Sequence, residues 1–161
     1  MPYSCSQGGG KWRLSGENVI FQGEFDHSVD DKGRVIIPTK FRTSLGERCY
    51  MTKGLGGCLF VYTESSYKDL SETLARQKQL DEHTMRLQRF FTSSELYPDN
   101  QGRVSIPAKL REYAKISLLD EVVVVGTGSR IEIWSSRSWA VYNDQLTAEM
   151  ITESARELGI A

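Results

Sequence analysis

Two stretches of the chain have nearly the same sequence: residues 30–42 are DDKGRVIIPTKFR and residues 99–111 are DNQGRVSIPAKLR. Eight of these 13 positions are identical, at an offset of 69 residues. A weaker match follows each copy, between residues 54–62 and residues 126–134, at an offset of 72. A solenoid needs three or more repeats, so two copies predict a pair of small β-rich units that pack face to face.

Each copy predicts the same local structure of turn, strand and short helix. Gly33 and Gly102 follow polar residues and precede β-branched ones, as in a turn where glycine supplies a positive φ. A short strand then ends at a proline, which suits the first turn of a helix. The strands and their prolines are residues 35–37 with Pro38, and residues 104–106 with Pro107. The apolar face of the short helix is expected to hold Phe41 and Leu45 in the first copy, and Leu110 and Ala114 in the second.

A hairpin is predicted after each short helix. The first joins residues 49–52 to residues 59–62, and the second joins residues 121–125 to residues 131–134, each through a glycine-rich turn. The glycines of the first turn lack the following Lys-Ser/Thr and helix of a phosphate-binding loop.

Helical segments follow each hairpin. Ser66 with Asp69 resembles a capping box, and Gly159 is a plausible end for the last helix. Four such helices are expected: one that begins at Ser65 or Ser66, one over residues 81–91, one that begins at Ser135 or Ser136, and one over residues 144–158.

Composition and charge exclude several functional classes. The chain has 20 Lys and Arg against 21 Asp and Glu, a net charge of −1, which excludes a uniformly basic nucleic-acid coat but allows a local basic patch. No apolar run approaches the length of a transmembrane helix. Residues 1–20 lack the apolar segment of a signal peptide, which predicts a cytoplasmic protein. Three cysteines without a CxxC pair argue against a disulfide framework.

No pattern typical of an active site or a metal site is found. His27 and His83 are the only histidines, and neither lies in a catalytic motif. Cys58 is predicted to be a small core residue. No Cys/His cluster or acidic loop has the spacing of metal ligands. We therefore predict no catalytic residue, no metal, no cofactor, no small-molecule substrate and no enzymatic activity.

The repeated segment has a net charge of +2 in each copy. One interpretation is contact with DNA, in which arginine binds guanine or phosphate and lysine binds phosphate. The other is structural: Asp30 and Asp99 pair with the arginines four residues later, and the remaining cations form a solvated helix face. The candidate DNA-binding residues are Lys32, Arg34, Lys40, Arg42, Arg103, Lys109 and Arg111. The residues expected to build the turns are Asp30, Gly33, Asp99 and Gly102.

From about residue 21 to its end, the chain resembles the MraZ family of bacterial transcription regulators. The resemblance rests on Gly-Glu-Phe at 23–25, on residues 30–42, on residues 99–103 and on Ile-Glu-Ile-Trp at 131–134. It implies an α+β fold of two tandem AbrB-like swapped-hairpin units. The two units would form a pseudo-dimer within one chain, with a β-barrel-like core and flanking helices.

The resemblance also implies a function. Members of the family bind direct repeats upstream of their own operon, the division and cell-wall gene cluster, and repress it as ring-shaped oligomers. We expect a cytoplasmic, nucleoid-associated repressor whose partners are promoter DNA and further copies of itself. The motif positions that carry over are Asp30, Arg34, Asp99 and Arg103. The second copy has Gln101 where the first has Lys32, which puts equal participation of the two turns in doubt.

The predicted organisation has five parts. They are residues 1–20, a disordered extension or a remnant of recombinant cloning; 21–66, the first unit; 67–92, a helical insert; 93–138, the second unit; and 139–161, a C-terminal helix. Exposed apolar residues such as Phe91 and Met150 are expected to form subunit contacts, unless these helices cover the β core. An alternative function is a protein-binding module of the antitoxin type, which also uses AbrB-like folds.

Overall fold

The structure, a computed structural model, describes residues 20–161. The prediction made for residues 1–20 therefore lies outside the described residues, apart from Ile20. The strands are β1 (Phe21–Ser28), β2 (Arg34–Ile36), β3 (Cys49–Lys53), β4 (Leu59–Thr63), β5 (Ser94–Leu96), β6 (Arg103–Ser105), β7 (Glu121–Gly128) and β8 (Arg130–Ser135). The helices are α1 (Thr39–Leu45), α2 (Glu64–Ala75), α3 (Glu82–Phe90), α4 (Ala108–Tyr113), α5 (Ser136–Asp144) and α6 (Ala148–Glu157).

The strand pairing shows that each unit completes the sheet of the other. The main sheet is antiparallel, with strand order β1-β7-β8-β4-β3-β5. Its outer strand β1 comes from the first unit and pairs with β7 of the second, whereas β5 comes from the second unit and pairs with β3 of the first. Strands β4 and β8 pair across the centre. This reciprocal exchange confirms the α+β fold and the intrachain pseudo-dimer.

A second, two-stranded sheet joins the repeated segments. In this ribbon, β2 pairs antiparallel with β6, and Val35 lies opposite Val104. Both valines are buried, and each side chain of this size contributes about 1.5–3 kcal/mol when fully buried. The two copies of the repeat therefore form one structural element.

The main sheet has a layer on each face. Alternate residues of a strand point to opposite faces: in β4, Leu59 and Val61 lie in one apolar cluster, and Phe60 and Tyr62 in the other. The first cluster is completed by the ribbon, α1 and α4 through Val35, Ile37, Phe41, Val104, Ile106 and Leu110. The second is completed from α2, α5 and the end of α3 through Tyr67, Leu70, Leu74, Phe90, Phe91 and Trp139. The ribbon and the helices α2, α3 and α5 thus cover opposite faces.

The local predictions for the repeats are confirmed with small shifts in the bounds. Gly33 and Gly102 both have φ of 79°. Pro38 and Pro107 directly precede α1 and α4. Each of the two short strands begins one residue before its predicted start, at the arginine that follows the turn glycine.

The predicted capping box at Ser66 and Asp69 is wrong. Strand β4 ends at Thr63, and the Thr63 hydroxyl accepts the Ser66 N–H at 3.0 Å as the cap of α2. Ser135 does the same for α5, accepting the Ser138 N–H at 3.0 Å. The helices follow the strands without a linker, so the last strand residue is the cap.

The second hairpin is longer than predicted. Strand β7 continues to Gly128 because β1 pairs with it along its whole length, up to Phe21 opposite Gly128. A side chain at Gly126 would collide with the backbone of Phe21 and Gln22. This glycine therefore permits the close approach of two strands rather than forming a turn.

The last helix, predicted over residues 144–158, is α6 and begins four residues later, at Ala148. The part predicted as one C-terminal helix, residues 139–161, therefore also contains most of α5. Helix α5 ends at Asp144, and α6 begins after Thr147, whose hydroxyl accepts the Met150 N–H at 3.1 Å. Its end at Gly159, with φ of 70°, agrees with the prediction.

The prediction that Phe91 is exposed for subunit contact is also wrong. Its ring stacks on Phe60 with centroids 6.2 Å apart, and its carbonyl accepts the Tyr67 hydroxyl at 3.0 Å. Phe91 is therefore a core residue that fastens the end of α3 to the sheet. Met150, in contrast, is 49% exposed.

Candidate nucleic-acid interface

The first turn, residues 30–34, is built around the Asp30 carboxylate. Its Oδ1 accepts the backbone N–H of Lys32 at 2.9 Å and of Arg34 at 2.8 Å. Its Oδ2 accepts the side-chain Nε–H of Arg34 at 2.7 Å. The turn closes where the Asp30 N–H donates to the Arg34 carbonyl at 2.8 Å. One carboxylate thus fixes both the backbone of the turn and the direction of the arginine.

The second turn, residues 99–103, repeats this arrangement. Asp99 accepts the backbone N–H of Gln101 and of Arg103, each at 2.9 Å, and the Arg103 Nε–H at 2.7 Å. The Asp99 N–H donates to the Arg103 carbonyl at 2.9 Å. The structural interpretation of the aspartates, pairing with the arginines four residues later, is therefore observed in both copies.

These hydrogen bonds keep both aspartates charged. Chiefly through the backbone N–H of Arg34, the pKa of Asp30 is lowered to about 2, and the N–H of Arg103 lowers the pKa of Asp99 to about 2. Each arginine side chain is still about a quarter exposed, 26% for Arg34 and 28% for Arg103. Among the described residues, each guanidinium bonds to the protein through Nε, so its outer nitrogens are available to a ligand.

The ribbon presents both arginines on one outward face. Val35 and Val104 point inward, so the residues on either side of them point outward. These are Arg34, Ile36, Arg103 and Ser105. The ribbon pairing extends past the strands, because the Ile37 N–H donates to the Gly102 carbonyl at 2.8 Å and the Ile106 N–H to the Gly33 carbonyl at 2.9 Å. The two turn glycines are therefore four residues apart along the ribbon, roughly 13 Å at about 3.3 Å per residue.

Ile36 and Ser105 were not among the predicted site residues. Both are exposed, Ile36 at 40%. The second copy contains the signal that could have found this position: in Val104-Ser105-Ile106 a polar residue lies between two apolar ones, and Ile36 corresponds to that polar residue.

Arg42 and Arg111 have a different environment from Arg34 and Arg103. The Arg42 Nε donates to the Ile37 carbonyl at 2.9 Å, and its side chain lies against Gly102 of the other unit. The Arg111 Nε donates to the Ile106 carbonyl at 3.2 Å, and its side chain lies against Gly33. Each unit thus places an arginine over the turn of the other.

The three predicted lysines are all exposed. Lys32 is exposed at the tip of the first turn, and the exposed Gln101 holds the same place in the second. Lys40 and Lys109 are exposed on the first turns of α1 and α4. The structure therefore groups all seven predicted cations around one ribbon and separates them into exposed lysines, ribbon arginines and arginines that cover the turns.

Other reactive groups lie away from this face or inside the core. Burial raises the pKa of Cys49 and of Cys58 to about 12, so both thiols are protonated at neutral pH. Within residues 20–161, no group of three His, Cys, Asp or Glu side chains could hold a metal ion. No helix in the same range is long and apolar enough to cross a membrane.

Comparison with known proteins gives one consistent family. A family model described as "MraZ protein, putative antitoxin-like" matches twice, over residues 20–91 and 89–160. Three similar proteins, each named "Transcriptional regulator MraZ", come from Alkaliphilus metalliredigens, Clostridium acetobutylicum and Heliobacterium modesticaldum. The first is 43% identical to this chain, and the alignment covers 88% of this chain and 100% of the relative's length. The second is 42% identical with the same coverage of both chains. The third is 44% identical, and the alignment covers 78% of this chain and 88% of the relative's length.

Among solved structures, the solution structure of PHS018 from Pyrococcus horikoshii is similar to this chain. It is 18% identical and covers 74% of this chain and 99% of its own, with a TM-score of 0.33. Because that score is low, the fold assignment rests on the strand pairing and on the two family-model matches.

Proposed function

The chain belongs to the MraZ family, and from this premise we propose that it regulates transcription by binding double-stranded DNA through the β2–β6 ribbon. In this proposal it acts as a homo-oligomeric ring on direct repeats upstream of its own operon, the division and cell-wall gene cluster, and represses it. It would accordingly act in the cytoplasm, at the nucleoid.

The observation that carries the proposal is the pair of oriented arginines. Arg34 and Arg103 lie on one outward face, each held through Nε by the aspartate of its own turn. A guanidinium fixed in this way presents its outer nitrogens as a planar fork, which matches guanine O6/N7 or a phosphate. The aspartate reduces the conformational freedom that the arginine would lose on binding, which favours specific contact.

The spacing of the two turns suits DNA. Their glycines are roughly 13 Å apart along the ribbon, comparable with the major-groove width of about 12 Å. Ile36 lies between Arg34 and the second turn on the same face, and an apolar side chain there can contact a thymine methyl group. We assign base contact to Arg34, Arg103 and Ile36.

The remaining cations have supporting roles in this proposal. Lys32, Lys40 and Lys109 are exposed near the ribbon and suit phosphate contacts, which position the protein without reading sequence. Arg42 and Arg111 cover the turns of the opposite units, so we assign them to holding the turns in place.

A ring accounts for tight binding by a chain of net charge −1. Each subunit contributes a small basic face, and several such faces on one assembly reinforce one another through effective concentration. Subunits related by rotation match direct repeats along the DNA better than palindromes.

The test is a titration of labelled DNA from the chain's own upstream region, compared with scrambled DNA of equal length at several salt concentrations. We expect specific binding that weakens with salt. Arg34→Ala is expected to weaken it by about 10-fold or more, the effect of removing one arginine from a base edge. The control is Lys68→Ala, an exposed cation on α2 and so on the opposite side of the sheet.

Two results would contradict the proposal. Equal affinity of Arg34→Ala and the unaltered protein would show that the first turn does not contact DNA. No preference for the upstream region, despite an intact oligomer, would favour the protein-binding alternative of the antitoxin type.

A further inference from the structure

Helix α6 is amphipathic, and none of its residues is buried by the rest of the described chain. Ile151, Ala155 and Leu158 follow one another at spacings of four and three, which places them on one helix face. Ile151 is 55% exposed and Leu158 is 74% exposed, and the helix has no buried residue. A helix of ten residues is marginal in water unless an apolar face is packed. This face therefore needs a partner.

The pseudo-symmetry of the chain shows what that partner surface resembles. Helices α2 and α3 follow β4 in the first unit, and α5 and α6 follow β8 in the second, so α3 and α6 occupy equivalent positions. Helix α3 is anchored to the core through Phe90, its last residue, and through Phe91 directly after it. Helix α6 has no such anchor. The first unit thus has a second helix that ends in the core, and the second unit has one without a buried residue.

An open groove of about 450 Å³ lies between α2 and α3. Its lining combines the apolar Leu74 and Leu87 with the polar or charged Gln77, Lys78, Asp81 and His83. Leu87 is 39% exposed there. The groove has an apolar strip of the kind that a short amphipathic helix can cover.

The charges of the two surfaces are complementary. Helix α6 has three glutamates and one arginine, a net charge of −2: Glu149, Glu153, Glu157 and Arg156. The segment 76–89, which contains the α2–α3 connection and most of α3, has four cations and two acids, a net charge of +2: Arg76, Lys78, Arg86, Arg89, Asp81 and Glu82. Opposite net charges favour the encounter of these two surfaces and disfavour the pairing of α6 with a second α6.

We propose that the Ile151–Ala155–Leu158 face of α6 docks into the α2–α3 groove of a second copy of the chain. The two surfaces differ, so the contact is head-to-tail, and repeated contacts of this type build either a closed ring or an open filament. The proposal specifies the subunit contact of the oligomer in the proposed function. It does not depend on DNA contact, because the α2–α3 groove lies on the opposite side of the sheet from the ribbon.

The first measurement is the mass of the full chain in solution, without DNA, by sedimentation velocity. The unaltered protein is expected to be an oligomer. Ile151→Asp, on α6, and Leu87→Asp, in the groove, are each expected to reduce it to the monomer mass of 18.2 kDa. Leu119→Asp is the matched control: Leu119 is 70% exposed in the α4–β7 connection with φ of 70°, which aspartate tolerates. Far-UV circular dichroism and thermal unfolding verify that each variant is folded.

The decisive step is to mix the two monomeric variants. Ile151→Asp retains an intact groove and Leu87→Asp retains an intact α6, so a head-to-tail contact predicts a dimer of one copy of each. A contact between like surfaces predicts no such dimer.

The proposal is overturned if the unaltered protein is monomeric, if Ile151→Asp assembles like the unaltered protein, or if the mixture stays monomeric. Failure of the DNA-binding proposal would look different: the masses would follow these expectations while the protein showed no preference for the upstream DNA.

Discussion

The turns at residues 30–34 and 99–103 have the same hydrogen bonds but differ in the residue at their tip. Corresponding distances from the two aspartates agree within 0.1 Å. The tip is Lys32 in one turn and Gln101 in the other, and both use only their backbone N–H in the turn. Aspartate and glycine therefore fix the shape of the turn, and the tip residue changes its charge independently.

The largest expected effect comes from removing the aspartates. Asp30→Ala or Asp99→Ala removes three hydrogen bonds at once, so we expect a melting temperature lower by several degrees and a DNA affinity lower by about 10-fold or more, because the arginine loses its orientation. Asp30→Asn or Asp99→Asn separates the loss of stability from the loss of DNA affinity. Its carbonyl oxygen still accepts the backbone N–H groups, but its amide cannot accept the arginine Nε–H. We expect it to retain most of the melting temperature and to lose affinity; equal melting temperatures for the Ala and Asn variants would contradict this account.

The turn glycines are expected to differ despite equal φ. Gly33→Ala and Gly102→Ala each place a side chain in the left-handed region, at a cost of about 1–2 kcal/mol. A Cβ at Gly33 would lie 3.0 Å from the Arg111 Nε, whereas a Cβ at Gly102 would collide with the Arg42 side chain. Gly102→Ala should therefore lower the free energy of unfolding in urea more than Gly33→Ala does. If the collision with Arg42 is the cause, the double variant Gly102→Ala/Arg42→Ala should lose less stability than the sum of the two single variants. A loss equal to that sum would contradict the predicted collision.

Acid should weaken both turns together. The pKa of each aspartate is lowered from 3.8 to about 2 in the folded protein, so folding favours the charged form. This stabilisation is complete above pH 3.8 and is lost as the pH falls through about 2. We expect the free energy of unfolding to fall more steeply over this interval in the unaltered protein than in Asp30→Ala/Asp99→Ala. Parallel pH profiles would contradict the role of the carboxylates.

The smallest effect is expected from exchanging the tips. Lys32→Gln leaves glutamine at the tip of both turns, so neither tip is charged. Gln101→Lys places lysine at both tips, so both are positively charged. We expect a several-fold loss of affinity for the first and a several-fold gain for the second. The slope of log affinity against log salt should become shallower by about one unit for each phosphate that a subunit no longer neutralises, and steeper by about one unit for each additional phosphate. Unchanged slopes would show that the tips do not reach phosphate.

Local features of the fold could be predicted from the sequence, because each depends on a few neighbouring residues. Gly33 and Pro38 mark the turn and the helix start, and the continuous apolar run at residues 59–62 is typical of a strand with two buried faces. The exchange of strands between units was expected only from the family resemblance, because no local pattern specifies that β1 pairs with β7. The cap at Thr63 was missed because the helix follows the strand directly.

The candidate site was predicted in composition but not in its division of roles. All seven cations were named, yet nothing in the sequence separates Arg34 from Arg42. The contact that distinguishes Arg42 is with Gly102, in the other copy of the repeat. Such contacts depend on the docking of the two units and appear only in the folded chain.

The central claim is that both turns face DNA, and site-specific photocrosslinking tests it most directly. A photoreactive amino acid is placed at position 32, at position 101 or, as a control, at position 68 on α2, and each protein is irradiated with labelled upstream DNA. The account predicts DNA adducts from positions 32 and 101 and none above background from position 68. Adducts from position 68 alone, or from neither turn in protein that binds the DNA, would contradict it.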